Sequence, residues 1–134
     1  MMRIWCLALL LAAAQPVWSE EPIDGDTFEG MSTGTTMEFG RGGTWYGAEQ
    51  YLPDRQVVWK YADGTCTYGE WFERNGALCF VYEDNPVPQC WVVTRRNNDI
   101  FVRPEGTGPQ SPSELTVTSE STEPLDCPAP DLGV

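Results

Sequence analysis

The sequence predicts a mainly β fold: an antiparallel meander forming a small sheet or barrel, preceded by a short helix and held by two disulfides. Three observations predict it. Short aromatic and β-branched runs recur between residues 35 and 103, turn signals separate them at close intervals, and four cysteines follow an export signal in a chain with no histidine. Connections this short force successive strands into antiparallel neighbours.

The first nineteen residues read as a signal peptide. Arg3 supplies the charged start, residues 4–14 the apolar run, and Val17-Trp18-Ser19 the cleavage positions. The cut is expected before Glu20, with a competing cut after Ala14 that would leave Gln15 first. The apolar run falls short of the roughly 20 residues that span a bilayer, so no membrane insertion is expected after cleavage. Cys6 leaves with the signal.

Residues 20–27 are acidic and turn-rich, and they lead into a short helix capped by Asp24 or Asp26 with Phe28 and Met31 on one face. Strands are expected near 35–39, 43–51, 56–61, 65–72, 77–83, 89–94 and 100–103. Ala62-Asp63-Gly64, Arg74-Asn75-Gly76 and Asn97-Asn98-Asp99 read as tight turns, and Asp84-Asn85-Pro86-Val87-Pro88 as a stiffer loop. Beyond Pro104 the chain turns to Pro, Gly, Ser, Thr and acid, yet Glu114-Leu115-Thr116-Val117-Thr118 alternates like a further strand and Cys127 needs a partner on the body. The expected organisation is therefore a signal at 1–19, an N-terminal segment at 20–34, a β core at 35–103, and a C-terminal wrap at 104–134 tethered by Cys127, its last residues free.

Four cysteines in an exported chain fit two disulfides better than a metal site, since no C-x-x-C and no histidine is present to complete a zinc set. They allow three pairings. If Cys79 and Cys90 lie on neighbouring strands joined through Pro86 and Pro88, they stand nearly opposite each other. A turn centred on Asn75-Gly76 instead places Phe72 or Trp71, not Cys66, across from Cys79. The favoured set is Cys79–Cys90 and Cys66–Cys127.

The chain carries 8 basic and 20 acidic residues, for a formal charge of −12. Without Arg3 the balance is 7 against 20, or −13. Such a surface repels phosphate backbones and anionic membranes, which excludes nucleic acid and favours a basic protein or a cell-envelope component as partner. Among the acids, Glu49, Glu70, Glu73, Glu83 and Asp84 are the candidates for an acid/base pair. With this many carboxylates some approach one another by accident, and a small domain has little room for a cleft, so the chain reads as non-enzymatic and free of cofactors and metals.

The aromatic residues between Trp45 and Phe101 divide between two faces of the meander, Trp59 with Tyr61 on one, and Tyr68 with Phe72 opposite to Trp71. Core packing is the default for such rings, and an aromatic cleft for a sugar, peptide or apolar ligand is the sharper reading. Asp24-Gly25-Asp26 opens like a calcium loop, but Phe28 and Thr35 stand where oxygen ligands belong. Tyr61-Ala62-Asp63-Gly64 with Tyr68-Gly69-Glu70-Trp71 looks like one MORN unit without a second copy, and Gly43-Thr44-Trp45 and Gly69-Glu70-Trp71 each match the short G-x-W opening of lipocalin-like barrels.

Over whole segments the chain resembles an uncharacterised family of small exported alphaproteobacterial proteins with a Cys- and Trp-rich β core. The matching stretches are Tyr46-Gly47-Ala48-Glu49-Gln50-Tyr51-Leu52-Pro53-Asp54-Arg55, Val58-Trp59, Cys66, Gly69-Glu70-Trp71, Leu78-Cys79-Phe80-Val81-Tyr82-Glu83, Gln89-Cys90-Trp91 and Pro124-Leu125-Asp126-Cys127-Pro128. The resemblance covers residues 28–134 and implies an exported, disulfide-bonded β domain with no known activity, so it transfers no functional residues. The expected function is a periplasmic or secreted binding or envelope-associated module using loops that carry Tyr46, Tyr51, Arg55, Asp84, Asn85 and Pro86. The alternative is an inhibitor of a secreted or periplasmic hydrolase, a lysozyme or protease, that projects the proline-braced 84–88 segment.

Overall fold

Alternating side chains, rather than any long apolar run, build the molecule. The computed structural model describes residues 13–14 and 20–128. Except for Ala13 and Ala14, the expected signal at 1–19 lies outside the described residues, as do residues 129–134, which were expected to form the free end. The elements are β1 (Glu21–Pro22), α1 (Gly25–Ser32), β2 (Thr36–Arg41), β3 (Thr44–Tyr51), β4 (Gln56–Tyr61), β5 (Cys66–Arg74), β6 (Ala77–Tyr82), β7 (Asn85–Arg96), β8 (Asp99–Pro104) and β9 (Leu115–Ser121). Strands β2 to β8 run as an antiparallel meander, and β9 returns between β8 and β2. The sheet therefore closes into an eight-stranded barrel, with β1 added as a ninth strand along β7 beyond the end of β6.

Both expected disulfides are present. Cys79 and Cys90 are register partners on β6 and β7, and Phe72 stands opposite Cys79 on the other side. Cys66–Cys127 spans 61 residues of sequence. Positive φ at Gly42 and Gly43, at Asn75 and Gly76, and at Asn97 and Asn98 matches the tight hairpin geometry that Asn and Gly adopt most readily.

Two segments differ from the sequence reading. Asn85, Pro86, Val87 and Pro88 do not form a loop: the chain reverses over Glu83 and Asp84, Tyr82 pairs with Asn85, and the prolines lie in β7. The ladder accommodates them because the register slips between Phe80 and Tyr82, and β8 pairs with β7 only from Trp91 onward, so neither proline has to supply a ladder N–H. The 104–134 segment, expected as a wrap, divides in two. Leu115–Ser121 is a barrel stave, while residues 122–128 cross the outside wall. Along that path the Thr36 hydroxyl donates to the Glu123 carbonyl (2.7 Å), the Leu125 N–H donates to Gln50 Oε1 (3.1 Å), and the Tyr68 hydroxyl donates to the Pro128 carbonyl. Val58 lies on β4 between Gln50 and Tyr68, and although it faces outward it is only 4% exposed.

The helix closes one end. Asp24 caps it by accepting from the Thr27 N–H at 2.8 Å, and the Thr27 side chain together with that N–H lowers the Asp24 pKa. Phe28 enters the barrel and meets Tyr51 and Trp71 edge-on, with ring centroids 5.3 and 5.4 Å away. Arg55 fastens the helix from outside, bonded to Asp26 (3.0 Å) and Glu29 (3.1 Å) and stacked 4.4 Å from the Trp71 ring. The β2–β3, β4–β5, β6–β7 and β8–β9 connections gather at the other end.

Candidate functional site

Inward side chains leave a cavity of about 110 Å³ inside the barrel. Phe28 and Tyr51 line it at the helix end, Trp59, Phe80, Tyr82 and Trp91 along the walls, and Tyr46, Tyr61 and Gln89 toward the open end. Eight strands give an interior wide enough for side chains or for one small ligand.

Backbone irregularities and missing Cβ atoms make this space. The β2–β3 register slips so that Phe39 faces Gly47 while Gly40 faces Trp45, leaving Tyr46 as the extra residue, and its ring lines the cavity. A Cβ on Gly47 would lie 2.3 Å from Trp59 Cζ2. One on Gly69 would lie 2.3 Å from the Val81 carbonyl oxygen and 2.7 Å from Tyr82 Cδ1. Glycine at both positions lets two lining rings lie flat against neighbouring backbone.

Glu49 is the cavity's carboxyl. Alternation along β3 turns it inward with Gly47 and Tyr51, between Met37 of β2 and Trp59 of β4, and it is 3% exposed. The Tyr82 hydroxyl donates to Glu49 Oε2, and the Tyr51 phenol lies on the same inward face of β3 and also lines the cavity. Burial raises the Glu49 pKa to about 7, against the opposing pull of the two phenols. Tyr51 and Tyr82 are in turn pushed well above the usual phenol range, first by burial and then by the negative charge of Glu49. Nearer the open end, the Tyr61 hydroxyl donates to Asp84 Oδ2 at 2.8 Å, and burial followed by that bond pushes the Tyr61 pKa up to about 12.

The residues singled out from sequence do not converge. Tyr46 and Tyr51 line the cavity and Asp84 reaches its outer edge through Tyr61, but Tyr51 is buried, not a loop side chain. Arg55 lies at the helix end, and Asn85 and Pro86 belong to β7. Of the five candidate carboxylates only Glu49 enters the cavity; Glu73 accepts the Gly25 N–H, and Glu83 accepts from the Tyr68 N–H at 3.4 Å. Sequence reasoning passed over Gly47 and Gly69, and it weighed Tyr82 and Trp91 only among the aromatic residues of a cleft that nothing in the pattern selected. The available signal was glycine inside strand patterns, which marks close backbone approach, together with the shared parity of Gly47, Glu49 and Tyr51.

Among the described residues, no three His, Cys, Asp or Glu side chains gather into a metal-holding group, and no helix is long and apolar enough to cross a membrane. Comparison with protein-family models, curated proteins and solved structures gave no match.

Proposed function

We propose that this protein is an exported, non-enzymatic binding module that encloses a small ligand inside its barrel. The carrying observation is the cavity itself: a barrel of this size can fill its interior with side chains, and here aromatic rings surround open space with a single carboxyl at its side. Phenols rather than a second carboxylate flank Glu49, which favours holding a ligand over acid/base chemistry. Export to the periplasm or beyond rests on the signal-like residues 1–19 and agrees with two disulfides, which persist in oxidising compartments. The inhibitor alternative needs a projecting 84–88 loop, and that segment is instead a two-residue turn running into β7.

A fragment screen read by NMR tests the proposal. Trp59 and Trp91 line the cavity and Trp45 is exposed outside it, so a bound fragment should shift the first two indole N–H signals and leave the third in place. Val102→Phe, which pushes a ring into the cavity, should abolish those shifts while the folded spectrum persists. Shifts confined to Trp45, or none from a broad panel, would overturn it.

A further inference from the structure

We propose that the enclosed ligand is a small organic cation, an alkyl- or methylammonium, held against aromatic faces with Glu49 as its counter-ion. The inference deepens the binding proposal and rests on it.

Charge balance comes first. Glu49 is buried in the barrel, and among the described residues no lysine or arginine lines the cavity. The titratable groups facing it are phenols: Tyr51 on its own strand, Tyr82 on β6, and farther out Tyr61 on β4 and Tyr46 beyond the bulge. Glu120 on β9 adds further negative charge on the Tyr51 side. The rest of the lining is apolar, apart from the Gln89 amide. The Tyr82 hydroxyl satisfies one acceptor on the carboxylate but supplies no positive charge, and a buried charge without a counter-charge is costly. A ligand that brings its own cation removes that cost.

The walls suit the same ligand. Ring faces of Trp and Tyr attract ammonium groups, and cages of such rings with an acidic residue are a general solution for methylated amines. One lining ring already receives a cation, the Arg41 guanidinium 4.4 Å from the Tyr46 centroid. Outside, the turns at the open end carry Asp63, Glu83 and Asp84 on a strongly acidic protein, a field that draws cations inward and repels anions. Size limits the ligand to a few heavy atoms, since an apolar cavity of ~150 Å³ takes up benzene and this one is smaller.

Tetramethylammonium and tert-butanol have the same number of heavy atoms and nearly the same shape, and they differ in charge. Each is titrated into the disulfide-intact protein at pH 8 and at pH 5, read by the Trp59 and Trp91 indole signals. Tetramethylammonium should bind at least tenfold more tightly than tert-butanol at pH 8. Its affinity should fall about 100-fold at pH 5, where a carboxyl with a pKa near 7 is about 1% ionised, and each bound cation should release a proton from Glu49 to solvent. Glu49→Gln should bring the affinity for tetramethylammonium down to that for tert-butanol and remove its pH dependence. Equal binding of the two probes, or no pH dependence in the wild-type protein, would overturn the cation assignment and leave the binding proposal standing. Failure of both probes and of the fragment panel would remove the two together.

Discussion

Glu49 couples the cavity to stability. Its carboxyl has a pKa of about 7 in the folded protein against an ordinary value of 4.5, so between these limits the folded state holds a proton that the unfolded state has released. Stability from this group is therefore fully present below about pH 4.5 and lost as pH rises through 7. The loss amounts to about 3 kcal/mol at 1.36 kcal/mol per pKa unit. Asp24 and Asp63, whose pKa values are lowered by hydrogen bonds to Thr27 and Thr65, act in the opposite sense, so the contribution of Glu49 is isolated by difference. Urea unfolding of wild type and Glu49→Gln from pH 4 to pH 8 should show the wild type losing about 3 kcal/mol relative to the variant. Parallel pH profiles would mean that Glu49 titrates in the ordinary range.

At the scale of elements, β9 and the strap after it make separable contributions. β9 pairs with β2 and β8 and closes the barrel, whereas residues 122–128 are held by three hydrogen bonds and the Cys66–Cys127 link. Cys66→Ser with Cys127→Ser should lower unfolding free energy by up to about 4 kcal/mol in the chain-entropy model for a loop of 61 residues. Amide exchange should rise along residues 122–128 and stay slow in β9; fast exchange across β9 would mean that the disulfide holds the barrel shut. Strands β2 to β8, the helix with its Asp24 cap and the Cys79–Cys90 pair were legible in the sequence because each rests on local periodicity or short-range register, and Cys66–Cys127 followed as the remaining pair; β1, a two-residue strand whose pairing with β7 is long-range, was not legible. Asn85–Pro88 was misread because proline signals a loop locally, and only the β6–β7 slip and the late start of β8 pairing reveal that no N–H is required there. The stave role of β9 was hidden for a similar reason: closure depends on pairing with β2, some eighty residues away in sequence.

For the whole molecule, closure decides what the aromatic residues do. In an open sheet Trp59, Tyr61, Tyr82 and Trp91 would cover one face; in a closed barrel they surround a space, and the Glu49 carboxyl is buried among them. The sequence displayed the rings and the glutamate but not their convergence, because the site draws on β3, β4, β6 and β7 and depends on Gly47 and Gly69 to admit the rings. Among the described residues the protein is thus a disulfide-braced shell around a buried carboxyl with two phenols beside it. The most direct measurement is the ¹³C titration of the Glu49 side-chain carboxyl by NMR, with and without saturating tetramethylammonium. A midpoint near pH 7 in the free protein that falls by at least one unit with the cation present is expected; a midpoint in the ordinary range of about 4.5, unmoved by the cation, would contradict both the burial of Glu49 and its ligand.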